Sequence, residues 1–153
     1  MTRKEKAMQN FQDGYNCSQA LVMAFSDILP VNEKELKAMS SSFGGGMGRL
    51  REVCGGVTGM FIVAGLLYGY DTPETGEVKA AHYARIQELA RLFEERYGCS
   101  YICRDLLGLS EQHSSSVPEA RTPEYYDKRP CKAIVGLCAE ILEEYIEGQT
   151  KTN

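Results

Sequence analysis

Apolar residues recur along this chain every three or four positions, and no stretch alternates apolar with polar residues long enough to make a strand. The pattern predicts an all-α, single-domain helical bundle. A polar helix covers about Arg3 to Gln12 and is broken by Asp13-Gly14. A second starts at Asn16, an N-cap residue, sets Ala20, Leu21, Ala24, Phe25 and Ile28 on one face, and ends before Pro30. Asn32 then caps Glu33 to Ser41, with Glu35 at the capping-box position. Phe43 to Gly48 is too glycine-rich to hold a regular element and predicts a loop.

The next helix, Val53 to Gly69, is apolar on all sides and should be the central buried one. Its glycines at 55 and 59, and again at 65 and 69, form a strip that fits either close helix packing or a ligand, because each costs about 1 kcal/mol relative to alanine. Thr72-Pro73 opens a long amphipathic helix over Glu74 to Tyr97, stopped by Gly98, with Ala80, Tyr83, Ala84, Ile86, Leu89, Ala90 and Phe93 on its apolar face. A short helix spans Ser100 to Leu107, and a last one Pro130 to Ile146. Between them Gly108 to Arg129 reads as one long irregular connection, a length that usually carries function or motion.

At 153 residues the chain can bury one full core without covalent staples. The net charge of −4, with both signs interspersed, lacks the basic footprint of a nucleic-acid binder. Val53 to Tyr70 has no charged residue and reaches the lower length limit of a membrane span, but its five glycines and the absence of a flanking basic cluster favour a buried bundle helix. The charged N-terminus lacks the apolar run of a secretory signal, so a reducing cytoplasm and reduced thiols are expected.

That expectation directs attention to six cysteines, which contain no C-x-x-C pair. Four sit where a helix begins: Cys17, Cys54, Cys103 and Cys131. First-turn N–H groups and their partial positive charge favour thiolate over thiol. Cys54 also has Arg49 and Arg51 nearby, and Cys131 has Lys128, Arg129 and Lys132, so these two are the expected catalytic pair, with Cys54 the most reactive. The competing reading makes each a small buried hydrophobe. Cys99 stands four residues before Cys103 without dedicated metal geometry, and Cys138 lies in an apolar run that suits core packing. Neither His82 nor His113 has a partner at zinc-site spacing, and no phosphate-binding loop or nucleophile elbow is present.

Taken together, Gly14-Tyr15-Asn16-Cys17-Ser18-Gln19-Ala20-Leu21, the Gly44 to Gly48 run leading to Cys54-Gly55-Gly56-Val57-Thr58-Gly59, Cys103-Arg104-Asp105-Leu106-Leu107-Gly108, and Cys131 resemble the C-GCAxxG-C-C family, to which redox activity is ascribed. The likeness spans about residues 5 to 146. It implies that Cys17, Cys54, Cys103 and Cys131 are the four characteristic cysteines, with Cys99 and Cys138 additional. Gly56 stands where the family pattern usually has alanine. A related module in split-Soret cytochromes holds an iron–sulfur centre, but this chain lacks C-x-x-C-H, so covalent haem does not carry over.

The residues therefore predict convergence of Cys17, Cys54, Cys103 and Cys131 or Cys138 on one site. That site would serve thiol/disulfide chemistry or hold an iron–sulfur cluster. The rivals are a zinc- or iron-binding carrier using the same four ligands and a bundle whose cysteines only fill the core. An electron-transfer partner is implied without being identified, and a homodimer is left open. The connection from Gly108 to Arg129, with Tyr125, Tyr126, Lys128 and Arg129, is expected to cover the thiols as a lid.

Overall fold

The computed structural model describes residues 1–152, and it is all-α. Nine helical segments run in chain order: α1 (Arg3–Gln12), α2 (Cys17–Met23), α3 (Glu33–Ser40), α4 (Gly44–Met47), α5 (Gly55–Tyr68), α6 (Gly76–Tyr97), α7 (Cys103–Leu106), α8 (Pro123–Lys128) and α9 (Cys131–Thr152). Side-chain capping fixes the starts of α1, α2 and α3, and of α8 below. The side chains of Thr2 and Asn16 close full capping boxes with Glu5 and Gln19, and the Asn32 side chain accepts the Glu35 N–H.

Several boundaries differ from the sequence expectation. The glycine-rich run forms α4, one tight turn with positive φ at Gly45, Gly46 and Met47 rather than a regular helix, and the last helix runs past Ile146 to Thr152. The second helix stops at Met23 and gives way to a 3-10 turn over Ser26–Ile28, leaving Ile28 exposed. The long helix begins at Gly76 because Thr75 is still extended, and of its expected apolar face Leu89 and Phe93 are buried while Tyr83 is exposed. The expected helix over Ser100–Leu107 shrinks to α7, because Ile102 pairs with Val53 as an isolated antiparallel bridge. The connection from Gly108 to Arg129 is not wholly irregular: Pro123 at the first turn and the Thr122 side chain accepting the Tyr125 N–H start α8.

Helix α5 is the buried centre, packed against α2, α6 and α9, while α1 lies along α9 and α2. Its core side includes Val57, Met60, Val63 and Ala64, which meet Leu21, Phe25, Leu89, Phe93, Ile134 and Leu142 in one cluster. No helix of the described residues is long and apolar enough to cross a membrane. The glycine strip divides in function. A Cβ on Gly59 would sit 2.9 Å from the Leu21 Cβ, so that glycine sets how closely α2 approaches, whereas a Cβ on Gly65 would meet nothing within 4 Å.

Substitution at the two glycines should separate these roles. Gly59→Leu overpacks the α2–α5 contact and should lower stability by about 1 to 3 kcal/mol. Gly65→Ala adds helix propensity in open space and should raise it by about 0.5 to 1 kcal/mol. Denaturant midpoints measure both, and equal responses would contradict this packing.

Candidate functional site

Each of the four helix-start cysteines does sit at a helix start. Cys17, Cys103 and Cys131 are the first residues of α2, α7 and α9, and Cys54 is the N-cap of α5. Their convergence has a local cause at each approach. Glycine at 55 lets the Cys17 Sγ lie against the α5 backbone, where a Cβ would be only 2.9 Å from the sulfur. The Val53–Ile102 bridge joins the residues just before Cys54 and Cys103: the Cys54 N–H donates to the Tyr101 carbonyl at 2.8 Å, and the Cys103 N–H to the Glu52 carbonyl at 2.6 Å. All four cysteines, with Gly55, Leu106, Leu107 and Ile134, line one internal space of about 20 Å³, room for about one water.

A second, open cavity of about 260 Å³ lies next to it and shares Cys17, Cys103 and Cys131 in its wall. Arginines at 49, 51, 121 and 129 also line it, with Glu119, Tyr125 and the glycines at 44, 45 and 48. The segment after Gly108 contributes Ser116, Pro118, Glu119 and Arg121 to the wall of this cavity. It is tied down: the Ser114 N–H donates to the Arg49 carbonyl, Arg49 Nε donates to the Ser115 carbonyl, and Arg121 donates to the carbonyls of Phe11 and Tyr15. Arg121 also stacks over the rings of Phe11 at 4.3 Å and Tyr125 at 5.0 Å.

The two arginines assigned by proximity to Cys54 go elsewhere. Arg49 reaches Ser115, and Arg51 places Nη1 3.6 Å from the Cys103 Sγ and Nε 2.9 Å from the Ser114 Oγ. The cause is the backbone from Gly45 to Arg51, where Gly45, Gly46, Met47, Gly48, Arg49 and Arg51 all have positive φ between 60° and 68°. Three of these are not glycine, which stores strain beside the thiols. It turns the chain so sharply that Arg51, 4% exposed, is driven inward against Cys103. A Cβ on Gly46 would sit 2.5 Å from the Cys103 Cβ, so the glycine is required by that contact as well as by φ.

Electrostatics correct the expectation of resting thiolates. Burial pushes the Cys54 thiol well above its ordinary value, the charges of Cys138 and Cys17 add to this, and the first-turn N–H groups of Val57 and Gly56 oppose it only in part. Burial likewise pushes Cys131 up to about 12, with Cys17 and Cys103 adding and Arg129 and Arg51 opposing. Cys138, fully buried, is raised by desolvation and by Cys17. Cys103 is also raised by burial, but the hydrogen bond and charge of Arg51 act directly against the rise. The field of a helix start is therefore present and is outweighed by desolvation. Cys17, half-buried like Cys131, is the common neighbour: its charge bears on Cys54, Cys103, Cys131 and Cys138 alike.

Cys138, which the sequence suited to core packing and offered as the alternative to Cys131 at the site, lies behind it in addition to Cys131, its sulfur 3.0 Å from where a Gly56 Cβ would be. Its seven-residue spacing from Cys131 within one helix is the signal that it lies on the same face. Cys99 is exposed and does not line either space. An iron–sulfur cluster finds the right donor atoms here but not their placement. Among the described residues no group of three or more His, Cys, Asp or Glu side chains is arranged to hold a metal ion, and the space enclosed by the four sulfurs is that of one water. The residues as placed do not fit a cluster.

Two measurements follow from the raised thiols. Alkylation with neutral iodoacetamide should label exposed Cys99 first and Cys54 and Cys138 last, read peptide by peptide in a mass spectrometer, and rapid labelling of Cys54 at neutral pH would contradict its burial. Stability should also fall at high pH. A thiol raised on folding contributes its stability fully below the unfolded value of about 8.5 and loses it as pH climbs through the folded value, about 12 for Cys131. The denaturant midpoint should decline above about pH 8.5, and Cys131→Ala should flatten that decline.

Residues 15–145 match the model of a family described as "Putative redox-active protein (C_GCAxxG_C_C)". No curated protein and no solved structure matches the chain. The match begins two residues before Cys17, ends within α9 past Cys138, and takes in every cysteine of both spaces, so the chain belongs to the C_GCAxxG_C_C family.

Proposed function

We propose that the protein is a thiol–disulfide oxidoreductase in which Cys103 makes the first attack and Cys17 resolves it. The observation that carries this reading is the Arg51 guanidinium donating to the Cys103 sulfur at the wall of the open cavity. A guanidinium at that position stabilises the thiolate selectively, since no other cysteine of the site has a cationic hydrogen-bond donor among its described partners. Cys17 is the fitting second thiol because it lines both spaces and is the electrostatic neighbour of every other site cysteine.

The exchange balances without a further reagent. The Cys103 thiolate attacks one sulfur of a substrate disulfide, forms a mixed disulfide and expels the other half as a thiolate. The Cys17 thiolate then attacks the Cys103 Sγ, closes a Cys17–Cys103 disulfide and releases the second half. Two electrons pass to the substrate, and the protons of the two cysteines end on the two product thiols. Cys131 and Cys54, kept as thiols by burial, stand behind this pair as further positions to which the disulfide can move.

The test is oxidation of the reduced protein by a small disulfide, followed by peptide mapping. A Cys17–Cys103 linkage should form, Cys103→Ser should abolish the mixed disulfide, and Cys17→Ser should trap it. Oxidation that proceeds unchanged in Cys103→Ser would remove the assignment. Anaerobic purification with iron and acid-labile sulfide in stoichiometric amount would replace it with the cluster reading.

A further inference from the structure

The chain carries net charge −4, yet the cavity in front of the thiols is lined by four arginines and one carboxylate. That carboxylate, Glu119, is already paired with Arg129. Arg49, Arg51 and Arg121 have no Asp or Glu within ion-pair distance among the described residues. Arg51 is the telling one, because a guanidinium left 4% exposed without a counter-ion carries a large desolvation cost. Its hydrogen bonds go to a serine hydroxyl and a thiol, both neutral in the resting protein. In the same cavity Arg121 lies on the faces of Phe11 and Tyr125, which gives it an apolar wall beside its charge.

Positive charge, an aromatic wall and three thiols in one cavity specify a ligand that is anionic, partly organic and reactive toward sulfur. The volume of about 260 Å³ falls below the range of about 300–1,000 Å³ usual for drug-sized ligands, so the ligand is small. We propose that this cavity is the binding site for a small carboxylate-bearing disulfide, its carboxylate seated on Arg51 and Arg49 and its sulfurs presented to Cys103. This rests on the exchange reading above and adds the substrate's charge and class. The reaction is the one already balanced: the disulfide is reduced to two carboxylate-bearing thiols as Cys103 and Cys17 are oxidised to a disulfide.

Three disulfides of similar length decide it: 3,3′-dithiodipropionate with two carboxylates, neutral bis(2-hydroxyethyl) disulfide, and cystamine with two ammonium groups. Their rates of oxidising the reduced full-length protein are compared, and the ratio between them cancels the intrinsic reactivity of the thiols. The anionic disulfide should react at least about 10-fold faster than the neutral one and cystamine slowest, with the anionic preference shrinking as salt is raised. Arg51→Gln should bring the anionic-to-neutral ratio close to one. Should that variant fail to fold by circular dichroism, wild type supplies the same information. Sulfate should then slow dithiodipropionate more than chloride of equal ionic strength does, while leaving the hydroxyethyl disulfide unaffected. Equal rates for all three disulfides overturn the anion site and leave the exchange reading standing. If none of the three oxidises the protein, the exchange reading fails, and the site for a carboxylate-bearing disulfide falls with it.

Discussion

The close approach of α2 to α5 is the constraint from which the site follows. Glycines at 55 and 59 remove the side chains that would hold the two helices apart, and Leu21 and the Cys17 sulfur occupy the space so opened. Leu21 joins the fully buried core there, while one turn earlier Cys17 is carried to the rim, where α5 begins. The core contact and the placement of the thiol are thus one packing event. The cost of several glycines in a helix is offset by burial of Leu21, Met60 and Val57 around them.

Around that contact two opposing effects act on every sulfur. A helix start favours the thiolate, and removal from water disfavours it. Where the thiol is buried deeply, as in Cys54 and Cys138, desolvation dominates and the group is stored protonated. Where a buried cation is brought to the sulfur, as Arg51 is to Cys103, part of that cost is returned. The strained run from Gly45 to Arg51 exists at the one place where the chain must turn back on itself to deliver that cation. Strain of this kind persists only where surrounding structure over-determines it, and here the Arg51 N–H to Gly45 carbonyl and Glu52 N–H to Gly46 carbonyl contacts, with Ser114 beyond them, hold it.

Much of the fold was legible because it is written in local chemistry. Asn16 and Asn32 announce their helices by capping, Gly98 ends α6 in a left-handed conformation, and the apolar run after Cys54 has no solvent face to offer. The four helix-start positions of the cysteines were readable for the same reason. What sequence did not carry were the non-local contacts. Arg51 is three residues from Cys54 and 52 from Cys103, yet its guanidinium goes to the latter, because a run of positive φ reverses the chain. The Val53–Ile102 bridge is a single pair, too short to leave any alternation. The segment after Gly108 was read as irregular because its order comes from Arg121 stacking on Phe11 and from Arg49 binding Ser115, interactions with no periodicity.

Gly56 and Cys138 show how a small departure from a family pattern is absorbed. The resemblance places alanine at position 56 and no cysteine at 138. In this chain a methyl group at 56 would press to within 3.0 Å of the Cys138 sulfur, which would have to give by a few tenths of an ångström, while the Cys138 Cβ at 3.6 Å would be in ordinary contact. Glycine leaves that space to the sulfur, so the lost methyl and the added thiol fit one another. The consequence is a fifth thiol at the inner end of the site, completely buried and electrostatically joined to Cys54 and Cys17. Read outward, the thiols pass from fully buried Cys138 through Cys54 to Cys17, Cys103 and Cys131 in the wall of the open cavity, and the cationic hydrogen bond falls on that wall.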